Sequence, residues 1–271
     1  MKMTDIELIK CFENTVVCSA GVDLANKTLR AIDSTKVYFE NFSSVRIPES
    51  KRAKIGVENI TTFAAAEKYR EFGRVAVLNF ANSETPGGGV TVGAMSQEEC
   101  LCRCSNLYPC LTCAAVFEDY YAYHRAKPNC LSSDRIIYTR DITVFKSESL
   151  DLLKKTEWFD VDIITCAAPY CGNCETIDTE MLLKLFKSRI KNIIEVAIEN
   201  SVDVLILGAF GCGAFKNPPD IVAQAFYEII DKYDYTMYFD MIVFAIKSTD
   251  DDLSASVCPN FNAFSKWFPL L

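Results

Sequence analysis

The sequence predicts an α/β domain arranged as a three-layer α/β/α sandwich. Two patterns carry that prediction. Short apolar runs of β-favouring residues, Val75–Phe80, Val161–Ala167, Val202–Leu207 and Met241–Ile246, read as strands covered on both faces. Segments with helical spacing lie between them, and strands alternating with helices indicate layers of helix on either side of a sheet. The 271 residues suit one large domain, or one domain with an appendage, and 50% hydrophobic residues supply a sizeable core.

In chain order, Asp5–Asn14 and Val22–Ile32 have helical spacing, and the alternation in Lys36–Phe42 predicts a strand. Ser43–Lys54 is polar, contains Pro48 and reads as a linker. Residues 1–50 are therefore expected to be an accessory segment packed on a catalytic-sized domain of residues 51–271. Alone, such a segment would bury too little apolar surface. Ile60–Phe72 reads as a helix capped by Asn59 or Thr61 and ended by Gly73. A helix Gln97–Leu107, a helical Phe117–His124 and a strand region Arg135–Phe145 follow. Thr179–Asn200 is a long amphipathic helix, Ile221–Asp231 a shorter one, and Phe261–Trp267 closes the chain.

The net charge of −8 argues against a broad nucleic-acid surface, which needs clustered Lys and Arg. It leaves room for a phosphate-bearing ligand held by backbone amides. No apolar run approaches the ~20 residues that span a bilayer. Asp5 and Glu7 interrupt the stretch where a signal peptide needs an apolar core. The expectation is a cytoplasmic monomer, nucleocytoplasmic in a eukaryote. The 13 cysteines include Cys110/Cys113 and Cys171/Cys174, two Cys-x-x-Cys pairs too far apart for a zinc ribbon. Cys100 and Cys104 have helical i, i+4 spacing among apolar neighbours, so reduced core thiols are the reading and no metal is assigned. His124, the single histidine, excludes a multi-histidine metal site and reads as structural beside Tyr120, Tyr121 and Tyr123.

The chemistry concentrates in Val75–Cys100. A strand is followed by Asn82, by Pro86-Gly87-Gly88-Gly89, and by a helix opening on Gln97-Glu98-Glu99 with Ser96 as N-cap. Consecutive glycines let a ligand touch the backbone, and positive φ is free of strain there. Adjacent glutamates on a helix point about 100° apart, so Glu98 and Glu99 cannot act on one bond from opposite faces. The second loop, Gly208–Phe215, follows a strand end and precedes a helix, where open α/β sheets bind ligands. Gly211-x-Gly213 lacks the third glycine of a dinucleotide fingerprint, so no nicotinamide or flavin cofactor is expected.

Phe80-Ala81-Asn82, Gly87-Gly88-Gly89, seven residues and then Gln97-Glu98-Glu99 resemble the signature of poly(ADP-ribose) glycohydrolases of the bacterial type, which are built on a macrodomain. The resemblance continues through Ala167-Ala168-Pro169 and Leu207–Phe215 and spans Val57 to Ile246. It implies a macrodomain with a mixed sheet and hydrolysis of ribose–ribose O-glycosidic bonds from chain ends. It makes Glu99 the proton donor, Glu98 the anchor for ribose hydroxyls, and Asn82 a contact to the ribose being cleaved. It also implies that Gly87, Gly88, Gly89, Val90 and Gln97 shape the site. Gly208, Phe210, Gly211, Cys212, Gly213, Ala214 and Phe215 would wrap the diphosphate, with Phe215 rather than Phe210 packing on the distal ribose. The sequence departs from the family pattern at Tyr170, where Asn is expected, and at Lys216, where a small residue is expected. A mono-ADP-ribosyl hydrolase acting on protein or nucleic acid shares this pocket. A reader without turnover has no use for a proton donor such as Glu99.

Overall fold

A computed structural model describes residues 3–48, 51–173, 177–248 and 258–271. Its helices are α1 (Asp5–Ala20), α2 (Ala25–Ser34), α3 (Thr62–Tyr69), α4 (Gln97–Cys104), α5 (Leu107–Leu111), α6 (Ala114–Val116), α7 (Tyr123–Ala126), α8 (Thr179–Glu199), α9 (Pro219–Lys232) and α10 (Pro259–Ser265). The strands are β1 (Lys36–Tyr38), β2 (Lys54–Glu58), β3 (Val75–Phe80), β4 (Ile136–Val144), β5 (Phe159–Cys166), β6 (Val204–Leu207) and β7 (Met241–Ala245). They form a mixed seven-stranded sheet in the order β1-β4-β5-β3-β6-β7-β2, the α/β class expected from the sequence. No helix of the described residues is long and apolar enough to cross a membrane.

The chain divides into two compact units. The first contains Met1–Tyr38, Asn79–Pro128 and Arg135–Ala167. Here β1 pairs antiparallel with β4, and β4 antiparallel with β5, with a register shift between Thr139 and Ile142. Thr4 and Glu7 cap α1 reciprocally, Thr4 N–H and Oγ1 both donating to Glu7 Oε2. Thr15 Oγ1 ties α1 to α4 by donating to the Arg103 carbonyl at 2.6 Å.

The second unit contains Phe39–Leu78, Asn129–Asp134 and Ala168–Leu271. Its strands pair in parallel: β3 with β6, β6 with β7, and β7 with β2. Leu182, Phe186, Ile190, Ile193, Ile194 and Ala197 are buried on α8. Phe226, Phe244 and Phe264 meet edge-on or tilted with centroids 5.2–6.1 Å apart and join α9, β7 and α10.

Several local expectations change. β2 begins at the last residue of the expected linker and fills the stretch before Ile60 where no element is expected, its register with β7 running from Lys54↔Met241 to Glu58↔Ala245. Gly56 breaks its apolar pattern because the C-terminal segment crosses there, and an added Cβ would lie 2.8 Å from Leu271 Cγ. The helix expected to reach Leu107 stops at Cys104. Ser105 leaves it extended to bridge Val144, and Asn106 Oδ1 accepts from Thr143 N–H at 2.8 Å. Lys36–Phe42 shortens to a three-residue strand. Phe117–Ala122 is helical as expected but wound as a π-helix.

Cys102, Cys104, Cys110, Cys166 and Cys258 are buried, and burial pushes the Cys104 and Cys110 thiols up to about 12. Cys130 is disulfide-bonded, a departure from the all-thiol reading. Of the two Cys-x-x-Cys pairs, Cys110 and Cys113 belong to the first unit and Cys171 to the second, while Cys174 lies outside the described residues. Among the described residues no group of three or more His, Cys, Asp or Glu is placed to hold a metal ion.

Candidate active site

The carboxylate cluster is built within the first unit. β3 delivers Asn79 and Phe80 to the start of the glycine loop, and α4 begins on the two glutamates. Gly87 and Gly88 have φ of +69° and +58°, the left-handed region that glycine enters without strain. Val90 N–H donates to Gly87 O at 3.2 Å and Val92 N–H to Gly89 O at 3.0 Å, winding the loop into a short 3₁₀ turn.

That winding aims backbone N–H groups at the acids. Gly89 N–H donates to Glu99 Oε1 at 2.8 Å, and Ser96 N–H donates to Glu99 Oε2 at 2.9 Å, the return half of the capping box. Asn82 N–H donates to Glu98 Oε2 at 2.8 Å, and Asn79 Nδ2 to Glu98 Oε1 at 3.3 Å. Glu98 is 3% exposed and Glu99 7%. Burial first, and the neighbouring Glu99 charge second, raise Glu98 to about 8 against the opposing bonds from Asn82, Asn79 and Gly87. Glu98 thus holds a proton at neutral pH in the free protein. The acids face the loop: a Cβ on Gly88 would lie 3.1 Å from Glu98 Oε2 and overlap Glu99 Oε1.

Gln97 is half-buried, and its Oε1 accepts from Phe80 N–H at 2.9 Å. Asn82 acts as a turn former, since its Oδ1 accepts from Glu84 and Thr85 N–H, both at 2.8 Å. Its amide NH₂ makes no hydrogen bond among the described residues. Asn79 is absent from the sequence-based set. The signal was a lone amide inside the apolar run Val75–Phe80, where an unbonded polar group would be costly. His124 is buried, with Nδ1 2.7 Å from the Tyr120 carbonyl, and serves the helix that carries it.

The second loop lies within the second unit. Gly211 takes φ +73°, where a Cβ would meet Asn217 Nδ2 at 2.6 Å. Asn217 Nδ2 pins the loop by donating to Gly211 O at 2.8 Å and Pro169 O at 2.7 Å. The backbone N–H groups of Gly213, Ala214 and Phe215 have no acceptor among the described residues, and a Cβ at Gly213 would meet nothing within 4 Å. Three free amides on an open strip are the feature an anion needs. Phe210 is fully buried edge-on against Phe186, 6.0 Å away, which leaves Phe215 as the loop's half-exposed aromatic. Tyr170, one of the two departures, stacks on Phe215 with centroids 4.9 Å apart and an 18° interplanar angle. Lys216, the other, is exposed in a left-handed conformation. Burial raises the Cys212 thiol to about 12, and Gly208 is buried at the end of β6.

Comparison with known families gives a match over residues 6–147 to the family described as microbial-type PARG, catalytic domain, more than half of the chain. The chain belongs to this family. A solved poly(ADP-ribose) glycohydrolase from Thermomonospora curvata is 29% identical, with 97% of each chain covered and a TM-score of 0.82. The same enzyme bound to the inhibitor ADP-HPD matches at 28% identity, 97% coverage of each chain and a TM-score of 0.78. The Deinococcus radiodurans enzyme in complex with ADP-ribose is 30% identical over 88% of this chain and 95% of its own, with a TM-score of 0.78. Curated protein sequences give no match.

Proposed function

We propose that this protein hydrolyses the ribose–ribose O-glycosidic bonds of poly(ADP-ribose), releasing ADP-ribose from chain ends. The observation that carries this reading is the pair Glu98–Glu99, buried and held by backbone N–H groups of the glycine loop and its flanks. The spacing Gly87-Gly88-Gly89, seven residues, Gln97-Glu98-Glu99 is then the signature of a macrodomain glycohydrolase.

In this reading Glu99 protonates the departing ribose oxygen as the C1″–O bond breaks, the bond's electron pair leaving on that oxygen. Water adds to C1″ and gives up a proton, restoring the carboxyl. Glu98, protonated before substrate arrives, holds ribose hydroxyls, and the free NH₂ of Asn82 contacts the ribose being cleaved. The amides of Gly213, Ala214 and Phe215 take the diphosphate without lysine or arginine in the loop, in keeping with an acidic chain. The Phe215 ring, backed by Tyr170, packs on the distal ribose.

One observation favours a second assignment. Burial gives Glu98 the proton at neutral pH, which suits it as the donor. Glu98→Gln and Glu99→Gln separate the two, because an amide keeps shape and hydrogen bonds but gives no proton. Product analysis tests the reaction itself, with poly(ADP-ribose), mono-ADP-ribosylated protein and mono-ADP-ribosylated DNA run side by side. ADP-ribose released from the polymer well ahead of the mono-modified substrates supports the reading. Binding of ADP-ribose without turnover of any of them refutes it.

A further inference from the structure

We propose that Arg103 is a positioning residue for the general acid. It fixes the loop that holds Glu99 and supplies the positive charge against which the Glu99 carboxylate forms as its proton leaves. This rests on the assignment of Glu99 above. Arg103 is 0% exposed on α4, four residues after Glu99 and so on the same helix face. Helical side chains lean toward the N-terminus, which carries the guanidinium back toward the turn that bears Glu99.

Among the described residues its bonds are to carbonyls only. Nε donates to Leu8 O at 3.2 Å, Nη2 donates to Val90 O at 3.3 Å, and Nη1 is buried without a partner. No carboxylate forms an ion pair with it among the described residues. A buried guanidinium in that state is expensive, and an apolar side chain would fill the same space more cheaply. Two features give the charge a use. Val90 directly follows Gly89, whose N–H grips Glu99 Oε1, so the Nη2–Val90 bond closes a ring from the acid through the loop back to α4. The charge of Arg103 also opposes the rise that burial imposes on the thiols of Cys100 and Cys102, its neighbours on α4. When Glu99 gives its proton to the departing oxygen, the new carboxylate forms one helical turn from that charge.

A residue acting through proton transfer matters only while the leaving group needs a proton. An ADP-riboside with a nitrophenolate leaving group does not need one. Arg103→Met is expected to lower kcat on poly(ADP-ribose) by about ten- to a hundredfold. ADP-ribose affinity and nitrophenyl-riboside turnover should stay within about threefold of wild type. Arg103→Lys, which keeps the charge but not both bonds, should fall between. Arg103→Gln is a second neutral variant, with folding judged by ADP-ribose binding. Equal slowing of both substrates, slowing of neither, or failure of both neutral variants to fold overturns the proposal. Glu99→Gln run in parallel keeps the two readings apart. If it hydrolyses the polymer normally, the assignment of Glu99 fails whatever Arg103 does.

Discussion

Gly88→Ala tests the loop and the acids in one substitution. Gly88 sits at φ +58°, where a non-glycine residue costs roughly 1–2 kcal/mol. The larger effect is local. The new methyl would overlap Glu99 Oε1 and lie 3.1 Å from Glu98 Oε2 and 3.2 Å from Glu99 Cδ. Restoring ordinary van der Waals separation requires the Glu99 carboxyl to retreat by roughly 1 Å, or the loop to lift by as much. Either movement stretches the 2.8 Å bond from Gly89 N–H. A misplacement of about 1 Å in a catalytic group costs on the order of a hundredfold in rate. The variant should therefore fold, lose about 1–2 kcal/mol in chemical denaturation, and lose roughly a hundredfold in kcat on poly(ADP-ribose). ADP-ribose binding by calorimetry should weaken by more than about tenfold, because the ligand approaches the same backbone. A kcat within threefold of wild type, on a protein with the expected stability loss, would refute the geometry.

Four further outcomes follow from the same geometry. Burial raises Glu98 from 4.5 to about 8, so its proton stabilises the fold at low pH, and this contribution is lost as pH rises to 8. Thermal melts should show Glu98→Gln gaining on wild type between pH 5 and 8 by a few kcal/mol in order of magnitude, and a gap constant with pH would contradict the assignment. Gly211→Ala should destabilise the protein, since its methyl meets Asn217 at positive φ. Gly213→Ala should leave stability unchanged yet weaken ADP-ribose binding if phosphate rests on that backbone, and normal binding by Gly213→Ala places the phosphate elsewhere. Phe215→Ala should weaken ADP-ribose binding by roughly tenfold, about the loss of one aromatic stack, whereas an unchanged dissociation constant would remove Phe215 from the site.

Much of this was legible because it is local. The bounds of β3 follow from six consecutive residues that favour a buried strand, and the left-handed Gly87 and Gly88 follow from the only glycine run in the chain. The glutamates at the start of α4 follow from a capping-box spacing. The remainder depends on segments distant in sequence. β2 exists because β7 pairs with it and the C-terminal residues pack across Gly56. Asn79 finds its partner because α4 brings Glu98 to it, and Arg103 finds its acceptors in the carbonyls of Leu8 and Val90. The π-turn at Phe117–Ala122 has the same apolar spacing as an α-helix, so periodicity alone does not reveal it.

The central claim is that Glu99 supplies the proton that releases ADP-ribose from the polymer. Its most direct test is single-turnover hydrolysis of poly(ADP-ribose) by wild type and Glu99→Gln, with ADP-ribose as the quantified product and ADP-ribose affinity measured on both. The account predicts affinity within about threefold and a rate lower by ~10²–10⁴-fold, the usual worth of general acid catalysis. Turnover by Glu99→Gln within a few-fold of wild type would contradict it.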